Sequence, residues 1–182
     1  MNRTHLAIAI LCALQLTGSR AHAQTWQPSP GHTQTPIWPG TPPDAQPTPG
    51  PESVVTTSHL VGGRHYQAIL NVSRPTMTIY TPAGKNTGVA VVVLPGGGFN
   101  SLAIDLEGTE ACDWLTATGI TCVLLKYRVP SEPYNSHCDC YPDDFATSTR
   151  SLEDLQRTMG LVRLHASEWQ IDPNRVYVLG FS

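Results

Sequence analysis

The chain has 182 residues, with 14 acidic side chains against 11 Lys plus Arg and a formal charge of −3. No basic stripe exists to neutralise phosphates, which excludes nucleic acid as the main partner. Apolar residues make up 40% and charged ones only 14%, enough to bury one core, and the length leaves no room for two chemically complete domains.

Residues 1–23 read as an address label. Asn2 and Arg3 supply a positive start, Leu6 to Leu16 an apolar run, and Ala21-His22-Ala23 a small-x-small cleavage site before Gln24. These are the three parts of a secretory signal peptide. The run is too short to cross a hydrocarbon core, which needs ~20 residues, and no later stretch approaches that length. The expectation is a secreted or periplasmic protein with no membrane span. Export also places the remaining cysteines in an oxidising compartment.

From residue 24 to 52 the composition shifts: nine of the 16 prolines fall between Pro28 and Pro51. Such a stretch cannot carry a ladder of backbone hydrogen bonds. It reads as a Pro-rich linker, with Ile37-Trp38-Pro39-Gly40 as an alternative apolar latch on the domain of residues 53–182.

Within that domain, residues 54–61 and 76–80 are rich in β-branched residues and predict early antiparallel strands. Residues 89–94 are a continuous apolar run that stops at Pro95-Gly96-Gly97-Gly98, the pattern of a strand covered on both faces. Residues 107–118 offer Ala111, Trp114, Leu115 and Thr118 on one helical face, with Gly119 as the stop. Residues 120–127 are again a buried-type strand. The spacing of Leu152, Leu155, Met159, Val162, Ala166 and Trp169 predicts a helix over 151–169 with those side chains on one stripe. Asp172-Pro173-Asn174 makes a turn, and residues 176–179 a last buried strand. Helices between buried strands mean βαβ crossovers, hence an α/β fold with a mostly parallel sheet and helices on both faces.

Chemistry concentrates at two strand ends. The last strand runs into Gly180-Phe181-Ser182, the first half of G-x-S-x-G. In that elbow the serine occupies a strained turn, flanked by small residues because the backbone passes close by. The competing reading of so short a motif is a turn serine. At the other end, Pro95-Gly96-Gly97-Gly98-Phe99 lets the main chain approach a substrate and aim its amides at a developing oxyanion. A phosphate cradle is disfavoured, because neither G-x-G-x-x-G nor G-x-x-x-x-G-K-[ST] is present.

The chain resembles the α/β-hydrolase fold esterases, within them the exported group close to feruloyl and acetylxylan esterases. The likeness rests on Trp38-Pro39-Gly40-Thr41-Pro42-Pro43, Pro95-Gly96-Gly97-Gly98-Phe99, Leu102-Ala103 with Asp105 and Glu107-Gly108, Leu125-Lys126-Tyr127-Arg128, and Glu168-Trp169 through Asp172-Pro173 to Gly180-Phe181-Ser182. It implies the N-terminal half of that fold, with Ser182 as nucleophile on an ester carbonyl and amides near Gly97 and Gly98 as part of the oxyanion hole. It also implies a small-molecule or plant-polysaccharide ester as substrate and an acid and a His later in the chain. Pro95 stands where lipase relatives carry a His, which weakens kinship with the hormone-sensitive-lipase branch.

The sequence ends on the proposed nucleophile, and every histidine precedes it. The expectation is therefore a fragment of a larger hydrolase, inactive alone because an alcohol of ordinary pKa needs an adjacent base. Rival readings are a serine peptidase of the prolyl-oligopeptidase kind, for whose propeller the linker leaves no room, and a non-catalytic relative that binds a ligand. No cofactor or metal is expected. His137-Cys138-Asp139-Cys140 is crowded into one loop without a second ligand pair, and a disulfide from Cys138 or Cys140 is favoured over a metal there. Cys112 and Cys122 read as packed thiols, and connectivity is not readable. Asp105 and Glu107 read as caps at a helix start, with shaping of the glycine loop as the alternative. Tyr127 and Arg128 line a pocket or brace a loop, and His165 lies on a solvated face. The oligomeric state is open.

Overall fold

The structure, a computed structural model, describes residues 25–129 and 145–182. The signal-peptide reading of residues 1–23 and the reading of the His137–Cys140 cluster lie outside them.

The centre of the fold is set by two apolar runs that pair in parallel. Strand β5 (Ala90–Leu94) lies beside β7 (Thr121–Lys126) with Ala90 opposite Thr121. All six residues of β7 are buried, and because successive side chains point to opposite faces, that requires cover on both. Strand β4 (Thr76–Tyr80) pairs antiparallel with β7, and β1 (Gln34–Pro36) antiparallel with β4. Strand β8 (Val176–Gly180) pairs in parallel with β5, which gives the order β1-β4-β7-β5-β8. The α/β class holds, and the sheet is mixed: parallel about β5, antiparallel about β4. A second, antiparallel sheet is made of β2 (Ser53–Thr56), β3 (Gln67–Leu70) and β6 (Ser101–Ala103).

Several elements differ from the sequence expectation, each for a physical reason. The expected strand over 54–61 ends at Thr56, since Gly62 and Gly63 turn the chain back through a Val61–Arg64 bridge. The expected helix over 107–118 begins with a wide turn over Ile104–Thr109, in which the N–H of Glu110 reaches the carbonyl of Asp105, and only then becomes α1 (Glu110–Ala117). The wider turn rotates the helical face presented by α1, so Cys112 and Leu115 are buried while Trp114 is 64% exposed. Gly119, with φ 83°, ends α1 as expected. Cys112 and Cys122, read as packed thiols, are joined by a disulfide that ties α1 to β7.

Helix α2 spans Phe145–Leu164, longer at its start and shorter at its end than expected. Its inward stripe is Ser151, Asp154, Thr158 and Val162, continued by Ala166 beyond the helix end, and Leu152 faces solvent. The register is held by Asp154, whose carboxylate takes the main-chain N–H and the Nε of Arg128 and the indole N–H of Trp38. Strand β8, expected to be buried, has only Val176 covered. It is the edge of the sheet among the described residues, and Tyr177 and Val178 are exposed.

The Pro-rich stretch does carry a short ladder, in β1, where Gln34 opposes Thr78. Trp26 and Ile37 belong to the core, and Arg157 binds the carbonyl of Ile37 while lying 5.5 Å over the Trp38 ring. Among the described residues no helix is long and apolar enough to cross a membrane.

Candidate active site

Parallel pairing carries β5 and β8 to the same rim of the sheet, with Leu94 opposite Gly180. The ladder continues one step further, because the N–H of Phe181 donates to the carbonyl of Leu94 at 3.1 Å. Ser182 is thereby laid alongside Gly96: a Cβ built on Gly96 would stand 2.3 Å from the Ser182 carbonyl oxygen and 2.8 Å from a Glu107 carboxylate oxygen. Only a glycine admits that approach. The close passage expected beside Gly180 lies here instead, as nothing comes within 4 Å of a Cβ on Gly180.

The glycine loop turns sharply. Gly97 has φ 140°, and a Cβ there would meet the Ser101 carbonyl oxygen at 2.3 Å. Gly98 and Phe99 come next with φ of 59° each, the second a strained value for a residue with a side chain. Carbonyls in the loop are occupied: that of Gly96 by the Ala103 N–H at 2.9 Å, that of Gly97 by the N–H groups of Asn100 and Ser101. Among the described residues, no acceptor takes the N–H of Gly97 or Gly98. Gly97 is half-buried and Gly98 exposed, so both amides are within reach of a solute.

Ser182 itself is exposed, and among the described residues the ones with side chains and positive φ are Asp44, Asn71, Phe99 and Gln170.

Two side chains grip the loop, as the alternatives weighed for them in sequence allowed. Glu107 is not a helix cap: its Oε2 accepts the N–H of Gly96 at 2.7 Å. Asp105 accepts the N–H of its neighbour Leu106 at 2.7 Å and also that of Gln67, and neither the wide turn nor α1 has a side-chain cap at its N-cap residue. Tyr127 braces the loop. It is buried, donates its hydroxyl to the Pro95 carbonyl at 2.6 Å, and meets Phe99 edge-on. Burial, and then the nearby Glu107 carboxylate, push the Tyr127 phenol up, so it stays a donor across the physiological range. Arg128 is likewise a brace, bound to Asp154, Glu153 and the carbonyls of Pro43 and Arg150. His165 is partly exposed, pairs with Glu168 and stacks on Trp169. Loop shaping and bracing were open in sequence only as alternatives, because a hydrogen bond from a side chain to a distant main-chain group leaves no periodic trace.

Against known proteins, the chain is 34% identical over 116 residues to an acetylxylan esterase of Xylanibacter ruminicola, across 62% of this chain and 21% of that protein. The crystal structure of an acetyl ester-xyloside bifunctional hydrolase from Caldicellulosiruptor lactoaceticus matches 82% of this chain and 42% of its own, with 27% identity and a TM-score of 0.53. The chain thus spans about a fifth of the curated relative and less than half of the solved one. No family model matches. The likeness to α/β-hydrolase esterases holds in both comparisons, and the described residues have the α/β-hydrolase architecture.

Proposed function

We propose that the chain carries the nucleophile and part of the oxyanion pocket of a serine ester hydrolase. The observation behind this reading is the seating of Ser182 against Gly96, next to two amide N–H groups without an acceptor among the described residues. In the reaction, the Ser182 hydroxyl oxygen attacks the ester carbonyl carbon while its proton passes to a histidine base. The carbonyl oxygen becomes an oxyanion held by the N–H groups of Gly97 and Gly98. Collapse expels the alcohol, which takes the proton back, and water then cleaves the acyl-enzyme by the same steps. The base and its carboxylate partner are proposed to come from sequence after Ser182, in keeping with the small share of its relatives that the chain spans.

The substrate is an acyl ester on plant polysaccharide, acetyl groups on xylan being favoured by the nature of both relatives. Such a polymer is met outside the cytoplasm, which agrees with the leader read over residues 1–23 and with the Cys112–Cys122 disulfide. The test is hydrolysis of nitrophenyl acetate by the full-length protein. Ser182→Ala is expected to lower kcat by about 10³-fold or more; wild-type turnover in that variant would remove Ser182 as nucleophile.

A further inference from the structure

The proposed reaction leaves unexplained why two side chains from different elements meet on one peptide group. The Pro95–Gly96 peptide is held at both polar atoms: its carbonyl accepts from Tyr127, just after β7, at 2.6 Å, and its N–H donates to Glu107, from the turn before α1, at 2.7 Å. A peptide group is planar and rigid. Holding both its ends therefore fixes the rotations on either side of it, ψ of Pro95 and φ of Gly96, and these set where the next amides point. Neither contact is a by-product of helix capping or core filling. Glu107 makes its contact outside the helix, on Gly96, and the Tyr127 ring needs no hydroxyl to pack against Phe99.

Among the described residues, the rest of the loop is tied through its carbonyls, at Gly96 and Gly97 by main-chain N–H groups and at Gly98 by the Asn100 side chain. Each of the next two peptides is thus held at its carbonyl but not at its N–H, and glycine resists rotation least of all residues, so without the grip on Pro95–Gly96 the Gly97 and Gly98 amides would be less firmly aimed. Oxyanion donors are useful only if oriented before the charge develops.

We propose that Tyr127 and Glu107 are positioning residues that clamp the Pro95–Gly96 peptide and so keep the Gly97 and Gly98 amides aimed at the carbonyl bound beside Ser182. The inference rests on the ester-hydrolase reading above. It assigns Glu107 a role as acceptor rather than as charge, because a carboxylate this close to a forming oxyanion otherwise opposes it.

The test measures nitrophenyl acetate hydrolysis and binding of a boronic acid transition-state analogue in the full-length protein, with folding checked by circular dichroism. Tyr127→Phe and Glu107→Leu are expected to lower kcat about 10- to 100-fold with KM within about 2-fold, and to weaken the boronic acid in the same proportion. Glu107→Gln, which keeps an oxygen acceptor, should stay within about 3-fold of wild type. Glu107→Asp, which keeps the charge but falls a methylene short, should behave like the leucine variant. If Ser182→Ala is inactive while folded Tyr127→Phe, Glu107→Leu and Glu107→Asp keep kcat within about 2-fold, well inside the loss of one oxyanion donor, the clamp is overturned and the hydrolase stands. If Ser182→Ala is active, both readings fall.

Discussion

The hydroxyl of Tyr80 is buried and has no hydrogen-bond partner among the described residues. Burial first, and Asp113 second, push its pKa from 10.0 up to about 12, and Tyr127 is raised by burial and Glu107. Both phenols ionise later in the folded chain than in the unfolded one. Between pH 10 and 12 the unfolded chain therefore holds fewer protons than the folded one, and stability falls as pH rises; below pH 10 both states are neutral and the contribution is complete. The melting temperature is expected to be insensitive to these groups up to about pH 10 and to drop above it. Tyr80→Phe also removes an unpaired buried hydroxyl, so its melting temperature at pH 8 should be at least that of wild type and its alkaline drop smaller. An identical alkaline limb in the variant would assign the drop to other groups. Gly96 and Gly97 were legible in sequence as places of close approach, and a Cβ at either would collide with main chain. Their partners were not legible, as those lie four to 86 positions away.

Helix α2 shows what a hydropathy count omits. Of the predicted stripe, Leu155, Met159, Val162, Ala166 and Trp169 do pack in or against the core and Leu152 does not, yet the same inward side also carries Asp154, which is fully buried. Its carboxylate joins three parts of the fold: the residue after Tyr127 through Arg128, the helix itself, and the Pro-rich stretch through Trp38. Arg128 is 5% exposed, so taking away Asp154 leaves a buried cation with the partly exposed Glu153, at 3.1 Å, as its remaining counter-charge. Asp154→Leu is expected to destabilise by about 3–5 kcal/mol, read from urea unfolding; a change below about 1 kcal/mol, the size of a surface pair, would show that Glu153 and solvent satisfy Arg128 without it. The wide turn ahead of α1 has the same lesson. Periodicity located a helix near residues 107–118, but one extra residue in the turn decided that Trp114 faces out.

Across the molecule, the Pro-rich stretch and the disulfide decide how the layers are held. A spacer standing off the domain would tolerate truncation of Ile37, whereas in this structure Ile37 is 1% exposed and belongs to the core. Ile37→Ala is expected to cost about 2–5 kcal/mol in chemical unfolding of the full-length protein, and an unchanged unfolding midpoint would restore the spacer reading. The disulfide closes only a short loop, so most of its effect is local, fixing α1 on the strand that carries Tyr127. Composition and hydrophobic runs alone determined the α/β class, the two parallel strands and the glycine loop at a strand end, because those depend on residues near one another in the chain. The sequence neighbourhood also placed a serine after the last strand. That this serine lies against Gly96, that Cys112 meets Cys122, that Glu107 holds an amide rather than capping a helix, and that Ile37 is core were decided by the tertiary structure. Each depends on which distant groups arrive at one point, and main-chain hydrogen bonds and close packing between distant segments are set by the assembled sheet rather than by any local pattern.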